Sequence, residues 1–147
     1  MVKLQRITNK KLGQILLEEG VLSREDINRI LEEQKISDEK FGEILIRLDY
    51  ASEEDMAMCM VSQFNLPYID VSFYKIDADL VKRFPKMTLL DNYFIPLSKV
   101  GNVITVAVAG PLAEDVLTEI ETTAGSEIKI FISTFSRITE AVEQVYS

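Results

Sequence analysis

One 24-residue unit is written twice near the start of this 147-residue chain. The first copy is KLGQILLEEGVLSREDINRILEEQ, Lys11 to Gln34. The second is KFGEILIRLDYASEEDMAMCMVSQ, Lys40 to Gln63, after the five-residue spacer KISDE. A duplication at a fixed spacing constrains the fold more than any local propensity, because both copies must adopt the same supersecondary unit.

Each copy reads as a helical hairpin. In the first, Leu12, Ile15 and Leu16 recur at helical spacing while Glu18 and Glu19 face outward. Gly20 ends that helix, because a left-handed residue past the C-terminus costs glycine little. Ser23, with Asp26 three positions on, has the form of a capping box. Ile27, Ile30, Leu31 and Gln34 then share one helical face. In the second copy Ile44 and Leu45 are apolar, and Ser52 caps with Asp55. Met56, Cys59, Met60 and Gln63 form the equivalent stripe. Asp49 stands where Gly20 stood; aspartate tolerates the left-handed region better than most residues. Two hairpins, each covering the other's apolar face, are expected.

After Gln63 the periodicity changes, which divides the chain into residues 1–64 and 65–147. Asn65-Leu66-Pro67 breaks the helix. Tyr68 to Ile76 reads as extended. Short helices are expected from Asp77 or Asp79 through Arg83 and from Met87 to Tyr93. Phe94–Ser98 and Val103–Ala109 flank Lys99-Val100-Gly101-Asn102 as a β-hairpin. Leu112 to Ala124 is an amphipathic helix closed by Gly125. Ile128 to Ser133 is a third strand, and Thr134 or Ser136 caps a last helix. The fold class is α+β: four helices in duplicated hairpins, then a mixed sheet of about three strands with helices packed on it. VITVAVA reads as its central buried strand.

Composition removes several functions. The formal net charge is -8, and residues 1–63 and 64–147 each carry four more acidic than basic residues. Such a surface repels phosphate backbones, so DNA is not a partner, and LSREDINRILEEQ is too acidic for a recognition helix. No histidine is present, which removes a Ser-His-Asp triad and an imidazole metal ligand. No GxxxxGK[ST] phosphate loop occurs. The chain is expected not to be an enzyme and to need no cofactor. The single cysteine, Cys59, is expected to pack in the core. With no apolar run of ~18 residues and no internal disulfide, a cytoplasmic location is expected.

The duplicated unit resembles that of the MshEN domain, the N-terminal region of bacterial type II secretion and type IV pilus assembly ATPases. That family's pattern opens Arg-Leu-Gly, runs through paired aliphatics, a glycine and two leucines, and ends on glutamine, with the same five-residue spacer. QFNLPYIDV, DNYFIPLSKVGNVITVAVAGPL and SEIKIFIS are similar to the remainder of a type II secretion protein E N-terminal domain. The resemblance runs from about Leu12 to Tyr146.

It implies a non-catalytic regulatory or docking module whose partners are the motor ATPase and the cytoplasmic domain of an inner-membrane platform protein. That would place the chain at the periphery of the inner membrane. It also implies an alternative, a sensor of cyclic di-GMP. The residues carried over for that ligand are Lys11, Leu12, Gly13, Ile27, Leu31 and Gln34, with Lys40, Phe41, Gly42, Met56, Met60 and Gln63. The aliphatic stripes would grip guanine faces, the amides and lysines would meet phosphate, and the glutamines would reach polar edges. This chain has Lys11 for arginine, Phe41 for leucine and Asp49 for the second glycine. Lysine lacks the planar fork that matches guanine.

Overall fold

The computed structural model describes residues 12–124 and 127–147. Within them lie eight α-helices and three strands. The first hairpin is α1 (Leu12–Glu18) and α2 (Arg24–Ile36); the second is α3 (Phe41–Arg47) and α4 (Glu53–Phe64). Next come a 3-10 turn (Val71–Phe73), α5 (Ala78–Val81) and α6 (Lys86–Asn92). Then follow β1 (Phe94–Val100), β2 (Val103–Val108), α7 (Glu114–Ala124), β3 (Glu127–Ile132) and α8 (Phe135–Tyr146). The α+β architecture expected from the sequence is the one observed.

The two copies use the same local devices. Ser23 and Asp26 form a complete capping box at α2, and Ser52 and Asp55 form another at α4. Each box satisfies two backbone donors that a helix start otherwise leaves unpaired. Both first helices end in a Schellman turn. Gly20 N–H donates to Leu17 O and Val21 N–H to Leu16 O; Asp49 and Tyr50 donate likewise to Ile46 and Leu45. Gly20 has φ 77° and Asp49 has φ 61°, so the aspartate keeps the left-handed turn without a glycine. Packing crosses between copies: α1 lies on α4, and α2 lies on α3.

The sheet order is β1-β2-β3, with β1–β2 antiparallel and β2–β3 parallel across the α7 connection. VITVAV is its central strand, buried except at Val103 and Thr105. The hairpin between β1 and β2 turns on two residues, Gly101 and Asn102, because the ladder extends to the Val100–Val103 pair, beyond the expected strand ends. Thr134 caps α8. Gly125 lies outside the described residues. The buried residues form one cluster from Ile15 to Val142 that includes Cys59. Burial pushes the Cys59 thiol up, with the charges of Glu19 and Asp55 adding to it.

The stretch from Tyr68 to Ile76 departs from the extended reading. Only its start pairs with the sheet, where Ile69 N–H donates to Ile132 O and Ile132 N–H to Pro67 O. Asp70 then accepts from Ser72 N–H and curls the chain into the 3-10 turn. A short aspartate side chain captured the backbone that β-propensity would have kept straight.

The two Schellman turns give opposite stability changes. Asp49→Gly is expected to raise unfolding free energy by about 0.5–1 kcal/mol, and Gly20→Ala to lower it by about 1 kcal/mol. Urea denaturation of the two variants beside the wild type measures both.

Candidate functional site

Each hairpin opens on a bulky residue followed by glycine: Leu12-Gly13 and Phe41-Gly42. The bulky residue of each copy packs over the glycine of the other. A Cβ built on Gly13 would lie 3.0 Å from Phe41 Cζ, and one built on Gly42 would lie 3.6 Å from Leu12 Cδ2. Close approach, not an unusual φ, is what these two glycines provide. Around this reciprocal contact the twelve carried-over residues divide into two regions of different character.

The first copy leaves a groove of about 640 Å³. Leu12, Gly13, Ile27, Leu31 and Gln34 all line it, together with Gln14, Leu17, Arg24 and Phe41. Five of the first copy's six carried-over residues therefore converge; the sixth, Lys11, lies outside the described residues. The wall is largely aliphatic and aromatic. Its polar groups are the amides of Gln14 and Gln34 and the Arg24 guanidinium, so it suits an apolar or planar group with a polar or anionic edge.

The second copy is closed by the chain itself. Met56 and Met60 are buried in the core, and Gln63 is half-buried near the end of α4. Lys40, Phe41 and Gly42 line a smaller cavity of about 340 Å³, whose opposite wall is Asp91–Tyr93, Gly110–Ala113 and Phe135. Phe135 sits on Gly42 so tightly that an added Cβ would come within 2.8 Å of its Cζ. Tyr93 meets Phe135 edge-on, with centroids 4.3 Å apart at 72°. Lys40 donates to the Asp91 carbonyl, pairs with its carboxylate at 3.2 Å, and lies 4.9 Å above the Tyr93 ring. The Tyr93 hydroxyl donates to Glu43 at 3.0 Å. Burial first, then that bond to a carboxylate, pushes the Tyr93 phenol well above its usual range.

Tyr93 holds φ 50° at the C-terminus of α6, a left-handed conformation that disfavours a bulky side chain. Its backbone is fixed by its N–H donating to Leu89 O and its carbonyl accepting from Ala109 N–H, beside the ring contacts. One further bond joins the halves: the Glu53 carboxylate at the start of α4 accepts both the N–H and the hydroxyl of Ser136, each at 2.7 Å. The sequence reading missed Asp91, Tyr93, Phe135 and Glu53. Phe135 was within reach as a buried residue, since it begins the i, i+3, i+7 stripe that Ile138 and Val142 continue. Its seat on Gly42 had no local signal. Among the described residues no group of acidic or thiol side chains is placed to hold a metal ion.

Comparisons with known proteins bear on the family and the fold. The family model of the MshEN domain matches residues 64–147. The type IV pilus assembly ATPase PilB of Myxococcus xanthus (strain DK1622) is 22% identical over 137 residues, which is 93% of this chain and 24% of that protein. The chain thus spans about a quarter of that relative's length. A solved structure of MshE with cdg (cyclic di-GMP) is 23% identical, with a TM-score of 0.68, covering 93% of this chain and 99% of that one. The N-terminal domain of XpsE is 17% identical with a TM-score of 0.67, covering 93% and 94%. Both structures share the α+β fold described above.

The fit of Phe135 on Gly42 is testable by a double-mutant cycle. Gly42→Ala is expected to destabilise the protein by about 1–2 kcal/mol, because the overpacking exceeds the helix-propensity gain of about 1 kcal/mol. Phe135→Ala also destabilises, but adding Gly42→Ala to it is expected to cost nothing more. Thermal or urea unfolding of the three variants provides the cycle.

Proposed function

This chain belongs to the MshEN domain family, and on that premise we propose that it is a non-catalytic regulatory docking module of a type II secretion or type IV pilus assembly ATPase system. In this reading it binds the cytoplasmic domain of an inner-membrane platform protein and couples it to the motor ATPase. It would act in the cytoplasm, at the membrane only through that partner; no described helix is long and apolar enough to cross a bilayer. One observation carries the choice of docking over ligand sensing: the second half of the nucleotide set is used up internally. Met56 and Met60 are buried, Phe135 covers Gly42, and Lys40 is held by Asp91 and Tyr93. A cyclic dinucleotide bound by both copies would have to displace those contacts.

The alternative, a cyclic di-GMP sensor, is favoured by a separate observation. Leu12, Gly13, Ile27, Leu31 and Gln34 line one groove, and the structure of MshE with cdg shares this fold. In that reading the open groove takes one guanine, and Gln34 bonds its polar edge.

Calorimetry separates the two. Docking predicts no saturable heat with cyclic di-GMP up to about 100 µM, a threshold equivalent to about 5.5 kcal/mol of binding. Saturable binding that Gln34→Ala abolishes would establish the sensor instead. The same preparation is expected to show no ATP hydrolysis.

A further inference from the structure

The two copies bury their second helices unequally. In α4 the residues Met56, Ala57, Cys59, Met60 and Phe64 are buried, and the helix packs against β3. In α2 only Ile30 is buried, Leu31 is 44% exposed and Ile36 is 81% exposed. Leu31 is the repeat equivalent of Met60, which is 0% exposed. At this position of the stripe the chain covers the side chain in one copy and leaves it exposed in the other.

Charge is inverted at the same place. The first residue of α4 is Glu53, whose carboxylate meets the N-terminal end of α8, where unpaired N–H groups carry positive partial charge. Its equivalent in α2 is Arg24, which is exposed and lines the groove. Among the described residues no carboxylate forms a salt bridge with it. A cation there suits the opposite end of a helix, whose terminal carbonyls and acidic side chains carry negative charge.

We propose that the groove beside α2 is where the docking partner sits, as an amphipathic helix. Its apolar face lies on Leu17, Ile27 and Leu31, and its acidic C-terminal end meets Arg24. That helix takes the place in the first copy that β3 and α8 take in the second. The assignment rests on the docking reading and goes beyond it by fixing the surface, the partner's chemistry and the partner's direction.

The test uses the whole chain and the purified cytoplasmic domain of the platform protein, with binding followed by calorimetry. Leu31→Asp and Arg24→Glu are each expected to weaken binding at least about tenfold, with unchanged thermal unfolding. Met58→Asp, at an exposed site on α4, is expected to stay within about twofold of wild type. The Arg24 contribution should shrink as salt is raised. If wild type binds and both groove variants match it, the groove is wrong and docking elsewhere stands. If wild type does not bind, the docking reading and the groove fall together. A dimer of the chain alone that Leu31→Asp dissociates would overturn the proposal in favour of a second copy.

Discussion

The seating of Phe135 on Gly42 is the contact on which the rest of the structure turns. It brings the start of α8 against the start of α3, and nothing larger than a hydrogen fits between them. Tyr93 is drawn to the same ring, and its left-handed backbone closes α6 and starts β1. Lys40, Asp91 and Glu43 then gather around Tyr93. The ion pair is largely exposed and contributes little by itself. The edge-on contact of the two rings removes apolar surface from water and contributes more than that ion pair.

That contact breaks the symmetry of the repeat. Two copies with the same caps, the same turns and the same stripe would be expected to present equivalent surfaces. The C-terminal half covers α4, through β3 against it and Glu53 against Ser136, while the α2 stripe stays exposed at Leu31. The expectation that the hairpins cover each other's apolar faces therefore fails at α2, whose stripe reaches solvent at Leu31. With Ile30 its one fully buried residue and Ile27 half-buried against the core, α2 is packed less deeply than α4. The mobile or partner-accepting parts of proteins are drawn from such weakly packed elements.

Much of this was legible in the residues. The capping boxes at Ser23 and Ser52 follow from a serine and an aspartate three positions apart. Asp49 was recognisable as the substitute for Gly20 because few other side chains tolerate that φ. The β1–β2 hairpin and the buried central strand followed from β-branched runs around Gly101. Local chemistry decides those features. The seat of Phe135 was not legible, because the ring and its glycine are joined only through the tertiary fold. Tyr68 to Ile76 was misread for the opposite reason: Asp70 made a local bond that outweighed the β-propensity around it. Of the candidate site, the groove residues of the first copy could be named in advance. Their unequal exposure relative to the second copy could not, since burial depends on which element lies across each helix.

The central claim is that one repeat is sealed by the chain and its twin is not. Native-state hydrogen exchange resolved along α2 and α4 measures this directly. The account predicts that amides from Met56 to Met60 exchange at least about a hundredfold more slowly than those from Ile27 to Leu31. Equal protection of the two helices would contradict it, because it would mean that the C-terminal half does not distinguish the copies.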